Sequence, residues 1–328
     1  MSAAVDLLTF GESMVSLRSP GPLSAGGSLG MHVAGAESNV AVGIARLGHT
    51  VTWAGVLGAD PHCEFILRQL RSEGLGVRHR VDPSRSTGVM FLEQRTADVS
   101  RAFYYRAGSA GSTLRREDIE PVLDSGAKVL HLTGITAALG PQPLDAVEYA
   151  AERAASEGVL VSLDVNYRSK LWSREEARTA LASIVRHADV VIASEDELDL
   201  LAPDHASLGV GNGGSDAAEA TMAAGLLDSG VREVVVKRGA AGACAYTVAG
   251  RLEQRAVPVT SIDTVGAGDA FTAGYLSAVL DGEDVAGRLQ RGVLAGAFAV
   301  STAGDWEGLP HRGELGLLGA HPSGSTQR

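Results

Sequence analysis

Residues 263–271 read Asp-Thr-Val-Gly-Ala-Gly-Asp-Ala-Phe, and the apolar spacing from Ala270 through Leu280 is that of a helix. A Gly-x-Gly turn at a helix start presents several backbone N–H groups with no side chain in the way, at the end whose dipole favours negative charge. The segment therefore reads as an anion site. Asp269 stands in the first helical turn, within reach of whatever those N–H groups hold. A hydroxyl between Asp269 and a terminal phosphate could pass its proton to the carboxylate while attacking phosphorus. As a bare pattern, the same residues also describe a glycine turn with a helix-stabilising aspartate. Phe271 takes the third glycine's place in Gly-x-Gly-x-x-Gly, and Gly-Lys-Ser/Thr does not occur, so the dinucleotide and Walker fingerprints are excluded.

Outward from this turn, short runs rich in Val, Ile and Leu recur at 5–10, 51–57, 128–132, 159–164, 190–193 and 234–237, and these are predicted buried strands. Between them, helical apolar spacing covers 39–47, 65–70, 143–155, 174–185, 217–227 and 270–280. Strand alternating with helix implies right-handed crossovers and a mainly parallel sheet covered on both faces, an α/β class in which ligands sit at the carboxyl ends of strands. Two segments break the alternation. Residues 86–106 read as two strands joined by a polar turn, and residues 16–33 as a glycine-rich extended segment. A small β flap that closes over a ligand and excludes water fits them, and so does a decorative hairpin or a dimer edge. By composition, 203–215 is a surface loop and 319–328 a loose tail.

The glycine at the turn is one of 41 in 328 residues, about one in eight against a usual share of roughly 7%. With 11 prolines, no Gly-X-Y period and 45% hydrophobic residues, neither collagen nor disorder accounts for the surplus. A net charge of −11 removes the footprint of a general nucleic-acid binder, so any bound anion is held locally. Cys63 and Cys244 form no C-x-x-C pair, which leaves neither a disulfide framework nor a zinc cluster and suits a reducing cytoplasm. No stretch approaches 18 uncharged apolar residues, and Asp6 interrupts the start without a basic region. The chain reads as cytoplasmic.

A second feature is Val-Ala-Gly-Ala-Glu-Ser-Asn at 33–39, where Ser38 or Asn39 is expected to cap a helix and the loop 34–37 to bring backbone close to a ligand; a plain capped helix is the alternative. Lysine is confined to Lys128, Lys170 and Lys237, against 25 arginines. Lys237 and Arg238 close a strand before Gly239, Arg168 follows another, and Arg106 follows two tyrosines in the flap. Singly these are solvated charges; together they suit an anionic substrate. Gly26-x-Ser28-x-Gly30 has no strand before it or helix after it, which excludes a nucleophile elbow, and His131 within an apolar run is a core residue.

DTVGAGDAF and AGAESNVAVGIARLG resemble the carboxy- and amino-terminal signatures of the ribokinase-like (PfkB) sugar kinases, and the match runs over roughly residues 5–310. FYYRAGSAGS, HLTGITAAL, LDVNYRSKLW and DWEGLP are most similar to the 2-keto-3-deoxygluconate kinases of that family. The resemblance implies a ribokinase-like, Rossmann-type sheet in one domain, residues 1–318, with lid segments at about 12–34 and 86–108. It implies ATP and Mg²⁺, a sugar acid phosphorylated at its 6-hydroxyl, and a homo-oligomer. Asp269 would be the base, and the N–H groups of Gly266, Ala267 and Gly268 the anion hole. Glu12, Gly35, Asn39, Met90, Tyr104, Arg106, Ile135 and Arg168 would meet the sugar. Ser194, Glu197, Lys237, Gly239 and Gly242 would border the nucleotide, with Glu197 reaching Mg²⁺ through water, and Asp263 and Val265 match a monovalent-cation (K⁺) loop. Ser194 replaces the family's usual Asn, Met90 stands where Tyr is frequent, and Ala34 replaces a Gly. A fructose, ribose or nucleoside kinase of the same family, or a sugar sensor without catalysis, are the other readings.

Overall fold

The computed structural model describes residues 4–96, 99–201 and 216–318. Its strands are, in chain order, β1 (Val5–Phe10), β2 (Met14–Ser19), β3 (Gly30–Ala34), β4 (Val51–Gly58), β5 (Gly76–Asp82), β6 (Val89–Thr96), β7 (Val99–Tyr105), β8 (Ala127–Thr133), β9 (Leu160–Asp164), β10 (Val190–Ser194), β11 (Glu233–Lys237), β12 (Ala243–Thr247) and β13 (Gly250–Gln254). The helices are α1 (Ala36–Arg46), α2 (Pro61–Ser72), α3 (Arg116–Leu123), α4 (Gly134–Ala137), α5 (Pro141–Ser156), α6 (Arg174–Val185), α7 (Asp216–Asp228), α8 (Ala267–Leu280) and α9 (Val285–Val300).

The six predicted strands all lie in one nine-stranded sheet of order β13-β12-β11-β10-β9-β8-β1-β4-β5. Every pairing from β11 to β5 is parallel; β12 and β13 turn back antiparallel at one edge. Strands with helices on both faces read as unbroken apolar runs, and β4 is buried along its whole length. Of the strands that pattern reading missed, β5 and β13 are the two edges of the sheet, where a strand covered on fewer sides tolerates charged residues such as Arg78 and Arg251, and β12 is the short buried strand between β13 and β11. Apolar residues of α3, α5, α6 and α7 pack on one face; those of α1, α2, α8 and α9 pack on the other. From β1 the chain builds outward to β4 and β5, then returns to build β8 to β11 on the other side. The carboxyl ends of β1 and β8 therefore flank a topological switch point, where α/β sheets bind ligands.

Helix α8 is buried at every residue from 270 to 278 and packs against both α1 and α9. Gly274 makes the second contact possible, because a Cβ there would lie 2.5 Å from the Arg291 carbonyl oxygen. This close packing fixes the position of the helix start.

A separate four-stranded sheet of order β3-β2-β6-β7 stands beside the main layer. Its buried side carries Met14, Ala34, Met90 and Leu92, with Val265 packed against them, and Met31 and Tyr105 are exposed. The flap strands at 86–106 are thus β6 and β7; the extended segment at 16–33 supplies β3 and most of β2. The turn residues 97–98, the loop 203–215 and the tail 319–328 lie outside the described residues. Among the described residues, no helix is long and apolar enough to cross a membrane.

Candidate active site

Gly266 is the N-cap of α8, with φ 75° and ψ −5°, the left-handed conformation that an L side chain adopts only at a cost. A Cβ on it would sit 2.0 Å from the Asp305 carbonyl oxygen, so the bare α-carbon seats the turn against the 304–307 segment. The N–H groups of a first helical turn have no carbonyl one turn back to accept them. That of Ala267 makes a 3.4 Å contact with the Thr264 carbonyl oxygen.

Three residues into α8, Asp269 is held at both oxygens. The Asn39 amide donates to Oδ2 at 2.8 Å and the Asn166 amide to Oδ1 at 3.3 Å. Burial pushes the Asp269 carboxyl above its usual range, Asn39 opposes this, and the neighbouring Asp164 adds to it. Asn166 is the one residue other than glycine with positive φ, 41°, among those described. Strain of this kind concentrates at working sites. Beneath the turn, Lys237 Nζ donates to both oxygens of Asp164, at 2.9 and 2.7 Å, and Thr272 Oγ1 donates to the same carboxylate at 2.9 Å. Burial alone would lower the Lys237 pKa, but Asp164 and Glu197 raise it, so the ammonium stays charged below Gly268.

A cleft of about 1140 Å³ opens between the two sheets above Asp269. It brings together Glu12, Gly35, Asn39, Met90, Tyr104, Arg106, Ile135, Arg168, Val265, Gly266 and Asp269; Ala267 and Gly268 adjoin it in the chain. Met90 and Tyr104 are cross-strand partners on β6 and β7. Glu12 accepts from Arg106 Nε at 2.7 Å and also from Ser109 Oγ, so its carboxylate holds the arginine over the cleft. Arg168 is exposed, with one N–H bonded to the Tyr167 carbonyl. Ile135 follows Thr133 and precedes Thr136, whose hydroxyls both donate to buried Glu37 on α1. That contact ties the two chain segments of the cleft wall together.

Two expectations are corrected, the cap of α1 and the place of Arg238. The cap of α1 is Gly35, three residues before Ser38 and four before Asn39: its Cβ would lie 2.6 Å from the Glu12 carbonyl oxygen, and Ser38 Oγ donates back to the Gly35 carbonyl. Asn39 is therefore inside the helix, aimed at Asp269. Its Oδ1 is buried with no partner, an acceptor left over for a ligand hydroxyl. Arg238 is not a cation of the cleft; it pairs with Glu219 at 2.6 Å and Glu253 at 3.1 Å. His131 is buried as expected, bonded through Nδ1 to Ser162, and burial drives its pKa down to about 4. The residues expected to border the nucleotide, Ser194, Glu197, Lys237, Gly239 and Gly242, lie outside the cleft lining. Glu197 accepts backbone N–H groups from Tyr167 and Ser194, and a Cβ on Gly242 would meet the Gln254 carbonyl oxygen at 2.0 Å. Asp263 is occupied: Arg18 Nη1 donates to its Oδ2 at 2.6 Å, and its Oδ1 takes the Val265 N–H. Sequence reasoning missed Asp164, Asn166, Asp305 and Lys170, which lines the cleft with its ammonium over the Tyr104 ring. The first two were visible as the DVN after a strand; Asp305, pushed up to about 6 by burial against the pull of Arg18, had only the DWEGLP stretch to point to it.

A carboxylate that must accept a proton works only when ionised. Because Asp269 is raised, kcat/KM is expected to fall as pH drops along an acidic limb whose midpoint lies above the ~3.9 of a free aspartate. A pH–rate profile checks it; a flat profile down to about pH 4 would show that no base with a raised pKa limits the reaction.

A family model described as pfkB family carbohydrate kinase matches residues 4–312. A 2-dehydro-3-deoxygluconokinase of Thermoproteus tenax is 33% identical over 94% of this chain and 92% of its own length. A 2-dehydro-3-deoxygalactonokinase of Haloferax volcanii is 32% identical, with 92% of each chain covered. The solved structure of a fructokinase with bound ATP from Xylella fastidiosa superposes with a TM-score of 0.81 at 26% identity, over 95% of this chain and 97% of that one.

Proposed function

The chain belongs to the pfkB family of carbohydrate kinases, and we propose that within it the protein transfers the γ-phosphoryl group of ATP to the 6-hydroxyl of 2-keto-3-deoxygluconate (2-dehydro-3-deoxygluconate), giving the 6-phosphate. The observation that carries the substrate is the cleft itself, with two guanidinium groups, Arg106 and Arg168, over a recessed carboxylate at Asp269. Arg106 is paired with Glu12, whereas Arg168 is bonded to a backbone carbonyl; a neutral sugar gives Arg168 no anion to pair with, while a sugar acid offers a carboxylate at one end and a primary hydroxyl at the other. Bound with its carboxylate toward the arginines, it puts that hydroxyl at Asp269. The hydroxyl proton passes to Asp269 as its oxygen attacks the γ-phosphorus, and ADP leaves. Charge on the transferring oxygens meets the N–H groups of Gly266, Ala267 and Gly268, where preorganised donors act most strongly.

Among the described residues, no group of three or more acidic, His or Cys side chains forms a metal cage, which suits an ion carried in by the nucleotide. Glu197 fits that role: each oxygen accepts one backbone N–H and keeps a second acceptor site for water around Mg²⁺, whose charge would neutralise the phosphates. The free, buried Cys63 and Cys244 support a reducing cytoplasm, and the exposed Met31 and Tyr105 of the small sheet, with Leu29 just before it, support pairing with a second copy.

ATP consumption across a panel of sugars tests the substrate. The keto-deoxy acid is expected to turn over fastest, and Arg168→Ala to raise its KM by roughly 10- to 100-fold, the loss of a charged hydrogen-bonding pair. Faster turnover of fructose or ribose would leave a family kinase with a different substrate. The galactose-derived epimer belongs in the panel, because the Haloferax relative carries that sugar in its name.

A further inference from the structure

Arg18 lies on β2, in the small sheet, yet its side chain leaves that sheet and is only 14% exposed. Nη1 donates to Asp263 at 2.6 Å and Nη2 to Asp305 at 2.9 Å, and these carboxylates are 10% and 5% exposed. Asp263 opens the turn that leads to Gly266; Asp305 supplies the carbonyl oxygen against which Gly266 is seated. Both walls of the anion turn are thus gripped by one guanidinium from the sheet above them.

The same place is where the resemblance puts a monovalent cation, and the residues present do not fit one. Oδ2 of Asp263 already takes Arg18 and the Gly304 N–H, and Oδ1 takes the Val265 N–H. A metal ion at that carboxylate would meet a fixed positive charge, the Arg18 guanidinium held 2.6 Å from Oδ2. We propose that Arg18 is the built-in cation of this kinase: it holds the 263–268 turn in register for phosphoryl transfer and makes the reaction independent of K⁺. Arg18 acts through the turn and touches neither substrate, so it is a positioning residue. The proposal rests on the reading of Gly266 to Gly268 as the anion hole.

The test compares wild type, Arg18→Met and Arg18→Lys in chloride salts of K⁺, Na⁺ and tetramethylammonium at one ionic strength. Wild-type kcat and melting temperature are expected to be the same in all three salts. Arg18→Met is expected to lose roughly 10- to 100-fold in kcat, as small misplacements of a reacting group do, with sugar KM within about threefold. Arg18→Lys, able to reach one carboxylate, recovers part of that loss; should the methionine variant not fold, its kcat against KM is read in its place. A K⁺-specific rise in wild-type rate or melting temperature would overturn the proposal, as would unchanged kcat in Arg18→Met. A loss that falls on stability and KM with kcat intact would overturn it too. The melting arm needs no substrate, so it decides the cation question even if the sugar assignment fails.

Discussion

Asp269→Asn is expected to lower kcat by roughly 10²- to 10⁴-fold, the span that general-base catalysis supplies, without unfolding the protein. The substitution is isosteric and removes only the proton acceptor. The surrounding amides can adapt: Asn39 Oδ1, which has no partner, can turn to accept from the new amide in place of the lost charge-assisted bond. The sign of the stability change follows from the pKa. Burial and Asp164 hold the Asp269 carboxyl above its unfolded value, so its ionised form costs folding free energy at every pH above that raised pKa. A neutral side chain removes the cost, and the variant is expected to melt no lower than wild type at neutral pH. Stability kept or gained while turnover collapses is the pattern of a group placed for chemistry. Single-turnover phosphorylation together with thermal melting measures both. A rate within a few fold of wild type would remove Asp269 from the base role.

The parts of this site that were legible in the sequence are those whose chemistry is local. Gly266 and Asp269 announce themselves because a bare turn and a first-turn acid are needed within the same few residues, and β1, β4 and β8 to β11 because buried parallel strands are nearly continuous apolar runs. What escaped depends on partners far along the chain: Asn166 reaches Asp269 across 103 positions, Arg18 reaches Asp263 across 245. Nothing in the words DVN or SLRS encodes those meetings. Lys237 and Arg238 show the limit most clearly. As neighbours at a strand end they looked equivalent, yet successive side chains leave a strand on opposite faces, and one went under the anion turn while the other went to Glu219. The expected cap at Ser38 or Asn39 failed for a related reason. The Glu12 backbone lies so close to Gly35 that the chain enters the helix there, which carries Asn39 round to Asp269.

Gly266→Ala separates the anion turn from the helix that carries it. At φ 75° the new Cβ meets two penalties: the left-handed conformation, and the Asp305 carbonyl oxygen at 2.0 Å, where no real Cβ is found. The first is local and amounts to about 1–2 kcal/mol. The second cannot be relieved by a rotamer, because the obstacle is backbone and the Asp305 side chain is itself held by Arg18. Either the 304–307 segment or the start of α8 must shift, and each moves the N–H groups of Gly266 to Gly268, proposed above as the anion hole. The expected loss is roughly 10²- to 10³-fold in kcat, what removing a preorganised donor costs elsewhere. Gly282, at the other end of the same helix, supplies the control: its φ is 76°, almost the same, but nothing lies within 4 Å of its would-be Cβ. Gly282→Ala should lose the conformational share of stability and none of the rate. If the two variants lose rate equally, the turn's effect is strain transmitted through α8. If only Gly266→Ala does, the position of those N–H groups is what turnover depends on.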